Sequence, residues 1–372
     1  MHSSSVNRRV ALASLVLTVV GRTVSGLDLL AQETPTRIPH VTSCPQCSVV
    51  TEKVLTLGNP NDPVLLFSIA NLERDRRGRY FAIGIDRAQI VVFDSTGKYL
   101  VALGRRGQGP GEFGGSINRL RVGPGDSLYV VDGSRHVSVF SPSLTFARRT
   151  ALPAGPAAFF PLSNGTFAVS APIRTPEAAG FPYHVLDSVG KVLRSFGPYS
   201  DVVPRARPMV ARPFVLSNDE RSIWVWSSAE YRFERWQMGG GYSGGVEVTN
   251  PPWRAKSERL TEKDTVINGR RIALRERAPH PVFTGVDATG LLWVHITIPI
   301  EKGQMCCTPN QPRPKLSYLV EIIDPGTNAV LLSHSTDAVR FLIPGTDLAY
   351  SAVGDEDGVV SFTVWRVTIR RP

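Results

Sequence analysis

The chain has 372 residues, of which 42% are hydrophobic, and it carries a formal net charge of +10. This is enough apolar material for one large core or two smaller ones, and no segment approaches the roughly 20 apolar residues that a membrane-spanning helix needs. Because the arginines are scattered along the chain, without a basic face interleaved with aromatic residues, the charge does not predict a nucleic-acid-binding protein.

Residues 1–32 have the features of a secretory signal peptide. A polar, basic start is followed by an apolar run from Val10 to Val20 and then by small residues around Gly26. The run is too short to span a bilayer as a helix. We therefore expect cleavage between Gly26 and Gln32 and an extracytoplasmic mature protein, either periplasmic or secreted. An uncleaved interfacial anchor is the alternative.

Residues 33–47 are predicted to be a polar linker that contains a Cys-x-x-Cys motif, Cys44 to Cys47. The next stretch, Ser48 to Leu57, alternates in hydrophobicity as a half-buried strand does. Because this strand has no partner close by in the sequence, it is predicted to pair with a distant one.

Units of four short strands begin after this segment. Val, Ile, Phe and Tyr are frequent in the strands, and turns rich in Asp and Gly, such as Asp94 to Gly97, separate them. Two units are predicted, from Val64 to Leu103 and from Ile117 to Leu152. A period of about 40 residues with four strands in each unit is typical of β-propeller blades.

Part of this region resembles a known repeat. Phe113, Arg119 to Val122, Gly125 to Asp132 and Arg135 to Phe140 together resemble one NHL-type repeat of a six-bladed β-propeller of the exported bacterial type. The glycine-rich corner Gly104 to Phe113 is similar to those that join blades in that family. The resemblance covers residues 72–140 and implies a fold only, because propellers carry many unrelated functions.

The period continues to the end of the chain. Further blades are predicted from Ala158 to Phe196, from Phe214 to Gln237, from Val282 to Ser333 and from Val339 to Ile369. The last blade has three predicted strands, and Ser48–Leu57 supplies the fourth, because this pairing removes two exposed sheet edges. The predicted fold is therefore all-β: a six-bladed propeller of four-stranded blades over residues 48–372, closed by an N-terminal strand that completes the last blade.

Two insertions interrupt the period, Thr249 to His280 and Pro299 to Lys315. The first contains a predicted hairpin that turns at Asn268-Gly269. Loops that join blades, and loops between second and third strands, lie on one face of a propeller. Both insertions are therefore expected on the same face, where long loops often bind ligands. Decoration without a binding role is the alternative.

The four cysteines are Cys44, Cys47, Cys306 and Cys307. An even number in an exported chain predicts disulfides. A bond between the adjacent Cys306 and Cys307 would strain the peptide between them, so we expect these two to pair with Cys44 and Cys47. A four-thiolate metal site and a redox role for the Cys-x-x-Cys motif are the alternatives.

No catalytic or metal-binding motif stands out in the sequence. The corner Gly104 to Gly111 lacks the Gly-Lys-Ser/Thr ending and the following helix of a phosphate loop, and it is predicted to be an inter-blade turn. The seven histidines are scattered. A metal site needs three or four convergent ligands, so neither a metal nor a cofactor is predicted.

Several basic residues are predicted to surround one mouth of the central channel, at or near the starts of first strands. Cations at a narrow opening attract anions, and guanidinium groups suit carboxylates and phosphates. The candidate ligand-binding residues are Arg105, Arg106, Asn118, Arg119, Arg212, His280 and Arg340. Neutralisation of these arginines by neighbouring carboxylates is the alternative.

The sequence thus favours an exported, monomeric, non-enzymatic propeller that binds an anionic small molecule or an acidic protein surface at its loop-rich face. Two other hypotheses remain open at this stage. One is a metal-dependent propeller hydrolase or lyase with its site at the channel mouth. The other is an envelope scaffold that docks partners through blade edges.

Overall fold

The computed structural model describes residues 34–66, 71–198, 213–254, 263–267, 270–274, 279–299, 316–336, 338–354 and 359–372. Over these residues the chain is a six-bladed β-propeller. The described part contains no helix that is long and apolar enough to cross a lipid bilayer.

Two strands, β1 (Thr36–Pro39) and β2 (Ser48–Leu57), precede the first blade. Blade one contains β3 (Glu73–Arg74), β4 (Tyr80–Ile83), β5 (Ile90–Phe93) and β6 (Tyr99–Leu103). Blade two contains β7 (Ile117–Val122), a 3-10 turn (Pro124–Asp126), β8 (Leu128–Asp132), β9 (His136–Phe140) and β10 (Phe146–Ala151). Blade three contains β11 (Ala158–Pro161), β12 (Phe167–Ser170), β13 (Tyr183–Leu186) and β14 (Val192–Phe196).

Blade four contains β15 (Phe214–Leu216), β16 (Ser222–Ser227), β17 (Arg232–Gln237) and β18 (Tyr242–Thr249). A separate hairpin follows, β19 (Lys263–Ile267) and β20 (Arg270–Leu274). Blade five contains β21 (His280–Val286), β22 (Leu292–Pro299), β23 (Leu316–Asp324) and β24 (Ala329–Ser335). Blade six contains β25 (Phe341–Leu342), β26 (Leu348–Gly354) and β27 (Val360–Arg370).

The ring closes as the sequence predicts. Strand β2 pairs antiparallel with β27, from Ser48 opposite Arg370 to Leu57 opposite Phe362, and completes blade six. The predicted hairpin in the first insertion is also confirmed, because β19 and β20 pair with Ile267 opposite Arg270.

The hydrophobic core is divided among the junctions between blades. Six clusters of buried side chains occupy the six junctions, because each strand alternates its side chains between the two neighbouring blades. Each junction is represented by one pair, in order around the ring: Phe81 and Leu120, Val137 and Phe159, Tyr183 and Ile223, Phe233 and Leu292, Ile322 and Ala349, Phe362 and Tyr80.

The glycine-rich corner is an inter-blade turn, in agreement with the prediction. Gly104 has a φ of +80°, and its missing side chain leaves room for the ring of Phe113, which is fully buried between blades one and two. The amide of Phe113 donates to the carbonyl of Arg105 at 2.8 Å. A β-carbon at Gly104 would collide with this ring.

The segment before β2 is more ordered than the predicted linker. Strand β1 pairs parallel with β18, so blade four has five strands. Thr42 then forms a parallel bridge to Val330 of β24, and the amide of Cys44 donates to the carbonyl of Leu331 at 3.0 Å. The N-terminal segment, residues 36–57, thus runs along the outer strands of blades four, five and six in turn.

The predicted cysteine pairing is wrong for Cys44 and Cys47, which are bonded to each other with their Cα atoms 5.3 Å apart. The physical reason is a tight turn between them, in which the amide of Cys47 donates to the carbonyl of Cys44 at 3.0 Å. Cys306 and Cys307 lie outside the described residues.

Candidate functional site

The central channel contains a cavity of about 920 Å³. All six innermost strands contribute to it, since the first strand of each propeller blade lies nearest the axis: β3, β7, β11, β15, β21 and β25. One end is lined by residues that precede first strands, including Asn71, Ala157 and Pro213. The other end is bordered by turns between first and second strands, including residues 123–126 and 344–346.

Aromatic rings form much of the cavity wall. The rings of Phe160 and Phe214 lie 5.3 Å apart between centroids, and those of Phe341 and Tyr350 stack at the same distance. Phe283 contributes a further ring from blade five. Such a wall suits a ligand with an apolar or aromatic part.

An ion pair crosses the wall between blades one and two. Nη1 of Arg121 lies 2.7 Å from Oε1 of Glu73, and the amide of Val122 donates to Oε2 at 3.2 Å. The Arg121 guanidinium also lies over the Phe160 ring, 4.6 Å from its centroid. Burial raises the pKa of Glu73 above its ordinary value, although Arg121 and the Val122 amide oppose this shift.

Two more guanidinium groups on the inner strands line the cavity. Arg119 donates from Nε and Nη2 to the carbonyl of Ala157, at 3.1 and 2.7 Å. Burial, and then repulsion from Arg121, lowers the pKa of Arg119. Arg74 lies over the ring of Tyr80, and the Nε atoms of Arg74 and Arg121 are buried without hydrogen-bond partners.

The carboxylates at the border of the cavity already have partners. Asp75 binds Arg79 at 2.7 Å and Asp126 binds Arg76 at 3.1 Å. Glu220 accepts hydrogen bonds from the amide and hydroxyl of Ser163, at 2.8 and 2.7 Å. The inner strands β3 and β7 thus contribute three arginines and one glutamate to the lining, while Arg76 and these three carboxylates lie at its border.

Arg119 is the only predicted site residue, among those that the structure describes, that lines this cavity. Arg105 is 79% exposed in its side chain and pairs with Glu112 at 2.6 Å, beside Arg106 in the corner before blade two. Asn118 is exposed on β7.

Two other predicted residues, His280 and Arg340, belong to a different cluster. His280 is exposed at the start of β21, and the Arg340 guanidinium lies 4.4 Å from the centroid of the Tyr318 ring. Arg212 is outside the described residues.

The sequence analysis did not identify Glu73, Arg74 or Arg121 as site residues. One signal for Arg121 was available, because Arg119 and Arg121 are two residues apart on one strand and so share a face. No comparable signal marks Glu73, whose partner is 48 residues away in the sequence. Within the described ranges, no group of three or more His, Cys, Asp or Glu side chains is placed to hold a metal ion.

A comparison with protein families agrees with the architecture. The model of the DUF5128 family, described as a 6-bladed beta-propeller, matches residues 54–216. No curated protein matches the sequence.

Solved structures show the same fold at low sequence identity. A Bacteroides fragilis protein, described as a candidate exported protein, is 12% identical with a TM-score of 0.56, and the match covers 90% of this chain and 100% of that one. A member of the DUF4221 family from Bacteroides vulgatus is 10% identical with a TM-score of 0.55, covering 88% and 99%. At such identities the similarity concerns the fold alone.

Proposed function

We propose that this six-bladed β-propeller is an exported, non-enzymatic binding protein that holds an anionic ligand with an apolar or aromatic part in its central cavity. One observation carries the proposal: three arginines and one glutamate lie on the inner strands of a cavity that is walled by aromatic rings. The ligand enters from the face predicted to carry the insertions 249–280 and 299–315, at the end of the cavity lined by Ala157 and Pro213.

The surroundings of Arg119 support an anion. Arg121 is neutralised by Glu73, whereas the hydrogen bonds of Arg119 within the described residues go to the carbonyls of Ala157 and Asn118. A guanidinium in a partly desolvated site is stabilised by a carboxylate or a phosphate, which it binds with two parallel hydrogen bonds. The lowered pKa of Arg119, caused first by burial and then by Arg121, agrees with a positive charge that lacks a counterion.

Binding without catalysis is favoured by the state of the acidic groups. Asp75, Asp126 and Glu220 are all engaged by neighbouring donors, and Glu73 is held by Arg121. A carboxyl acts as a general acid or base only when it can reach the substrate. Export is supported by the features of residues 1–32 and by the disulfide between Cys44 and Cys47.

The test is a binding comparison between matched pairs of small probes. Phenyl phosphate and benzoate would be titrated against phenol and benzamide by calorimetry at low salt. We expect the anions to bind saturably and at least about tenfold more tightly than the neutral analogues, with weaker binding as salt rises.

The variant Arg119→Gln should weaken binding of both anions and leave the neutral probes unaffected. Arg366→Gln, at an exposed ion pair on the outer part of blade six, is the matched control and should bind as the wild type does. Equal binding of anions and neutral analogues, or no effect of Arg119→Gln, would overturn the proposal. Stoichiometric metal with turnover of an ester or lactone would support the hydrolase or lyase hypothesis instead.

A further inference from the structure

A second cluster of cationic and aromatic side chains lies on the face of blade five that packs against blade six. The rings of His295 and Tyr318 stack with centroids 5.4 Å apart and an interplanar angle of 28°. The Arg340 guanidinium contacts the same tyrosine, with Cζ 4.4 Å from the ring centroid. One aromatic ring therefore positions both nitrogen-bearing groups.

Strand pairing brings these residues together from distant parts of the sequence. His295 lies in β22 opposite Val282 of β21 and Val320 of β23, so that Tyr318 is its diagonal neighbour. Arg340 directly precedes β25, and its amide donates to the carbonyl of Tyr350 at 3.1 Å. The cluster is thus built by backbone pairing within blades five and six.

Both groups have a buried nitrogen atom without a hydrogen-bond partner. His295 is 5% exposed, and its Nε2 atom has no hydrogen-bond partner. The Nε atom of Arg340 is also buried without a partner, while Nη1 donates to the carbonyl of Ala352 at 3.3 Å. Within the described residues, no carboxylate forms an ion pair with Arg340. Buried polar atoms without partners are costly, so an anion that pairs with both nitrogen atoms would stabilise this cluster.

We propose that this cluster is a second anion-binding site, which takes a small oxyanion, the carboxylate or phosphate group of a ligand. Arg340 Nε and His295 Nε2 donate to the oxyanion, and the exposed His280 lies at the entrance. The site does not depend on the central cavity, since neither His295 nor Arg340 lines that cavity.

The titratable and aromatic groups beside His295 are His280 on β21, Tyr318 on β23 and Arg340 before β25. His334 on β24 lies one strand further away, opposite Val320. Burial, and then repulsion from Arg340 and His280, lowers the pKa of His295 to about 4. A bound anion attracts the protonated ring and offsets the repulsion from Arg340 and His280, so it raises that pKa. Anion binding should therefore take up a proton, and the affinity should increase as the pH falls.

The test follows the ring signals of His295 by NMR in the full chain. Sulfate, which keeps its charge over this pH range, stands for a phosphate group, and acetate stands for a carboxylate; sodium chloride keeps the ionic strength constant. We expect saturable shifts of the His295 signals, and tighter sulfate binding at about pH 6 than at about pH 8. A preference for sulfate or for acetate would identify the ligand class.

Variants separate this site from the central cavity. Arg340→Gln should weaken binding at His295 by at least about tenfold, because a charge-assisted hydrogen bond is lost. Arg340→Lys should recover part of the affinity, whereas Arg119→Gln should leave it unchanged. Thermal unfolding of each variant confirms that it is folded.

Two outcomes would overturn the proposal. One is the absence of saturable His295 shifts with either anion in the folded wild type. The other is an affinity that Arg340→Gln and Arg340→Lys leave unchanged, which would assign a packing role to Arg340.

Discussion

Nε2 of His40 lies 2.7 Å from Oε1 of Glu321, a residue 281 positions later in the sequence. Glu321 is fully buried in blade five, where it also accepts hydrogen bonds from Tyr231 and Trp253. The carboxylate thus joins blade four, blade five and the N-terminal segment. Because an unpaired buried charge is costly, each of these partners constrains the others.

This pair predicts a pH-dependent contribution to stability. Burial by itself lowers the pKa of His40, but the hydrogen bond and the attraction from Glu321 outweigh it and raise the pKa above its ordinary value. A raised histidine pKa stabilises the fold below the unfolded value of about 6.5, and this contribution disappears as the pH rises through the folded pKa.

We therefore expect His40→Ala to lower the free energy of unfolding by about 1–3 kcal/mol at mildly acidic pH, and by less under alkaline conditions. Urea unfolding over a range of pH measures this difference. His280→Gln, at an exposed histidine, is the control and should change little. A deficit that is independent of pH would show that His40 contributes by packing alone.

Substitutions at buried and exposed positions of the closing strand β2 should change the stability of the protein by different amounts. Leu57 is 1% exposed and packs in the cluster between blades six and one, whereas Val54 is 39% exposed on the same strand. Leu57→Ala should lower the free energy of unfolding by about 2–4 kcal/mol, and Val54→Ala by less than about 1 kcal/mol. Chemical denaturation of both variants measures the contrast, and similar losses would contradict it.

Removal of the first 60 residues tests the closure as a whole. It exposes the edge of β27 and deletes the strand that completes blade six. We expect loss of the cooperative thermal transition. A truncated protein that unfolds at the same temperature as the full chain would show that blade six is stable without β2.

The parts of the fold that were predictable depend on local signals. Alternating strands and Asp/Gly turns are encoded within a few residues. In one such turn the Asp94 carboxylate accepts hydrogen bonds from the amides of Thr96 and Lys98, and this local stabilisation explains why Asp recurs in the turns. Counting strands then identified β2 as the closing strand. By contrast, β1 has four residues with only Ile38 buried, so its parallel pairing with β18 leaves no pattern in the sequence.

The candidate site was less predictable because its contacts are long-range. Arg119 was identified from its position at the start of a first strand. Glu73 lies in a strand of two residues, and its role depends on Arg121 in the next blade. The grouping of His295 with Arg340 depends on how blades five and six pack, which a linear pattern does not encode.

The disulfide gives a chemical prediction. Peptide mapping of the oxidised protein should recover Cys44 and Cys47 in one linked peptide. Replacing both cysteines with serine should lower the free energy of unfolding by about 2 kcal/mol, since the disulfide closes a short loop. Thermal unfolding with and without reductant measures the loss. Reductant should destabilise the wild type by breaking this disulfide, an effect that the serine variant cannot show. A bond from either residue to Cys306 or Cys307 would contradict the structure.

The ion pair in the channel predicts a loss of stability that grows with pH. Arg121→Gln leaves the buried Glu73 carboxylate without its counterion, so the variant should lose about 3–5 kcal/mol of unfolding free energy near neutral pH. Burial already raises the pKa of Glu73, and removing Arg121 raises it further. A carboxyl with a raised folded pKa favours the fold while it is protonated, and this contribution disappears as the pH rises through that pKa.

The deficit of Arg121→Gln should therefore be smaller at about pH 5 than at about pH 8, as measured by urea unfolding at both values. The double variant Glu73→Gln/Arg121→Gln should lose less than Arg121→Gln alone near neutral pH, because no buried charge remains. This pair should then no longer contribute to the pH dependence of its unfolding free energy. Arg366→Gln, at an exposed ion pair, should cost less than about 1 kcal/mol. Equal deficits of Arg121→Gln at the two pH values would mean that Glu73 is not held as a charged group by Arg121, and that the arginine acts through its packing on Phe160 instead.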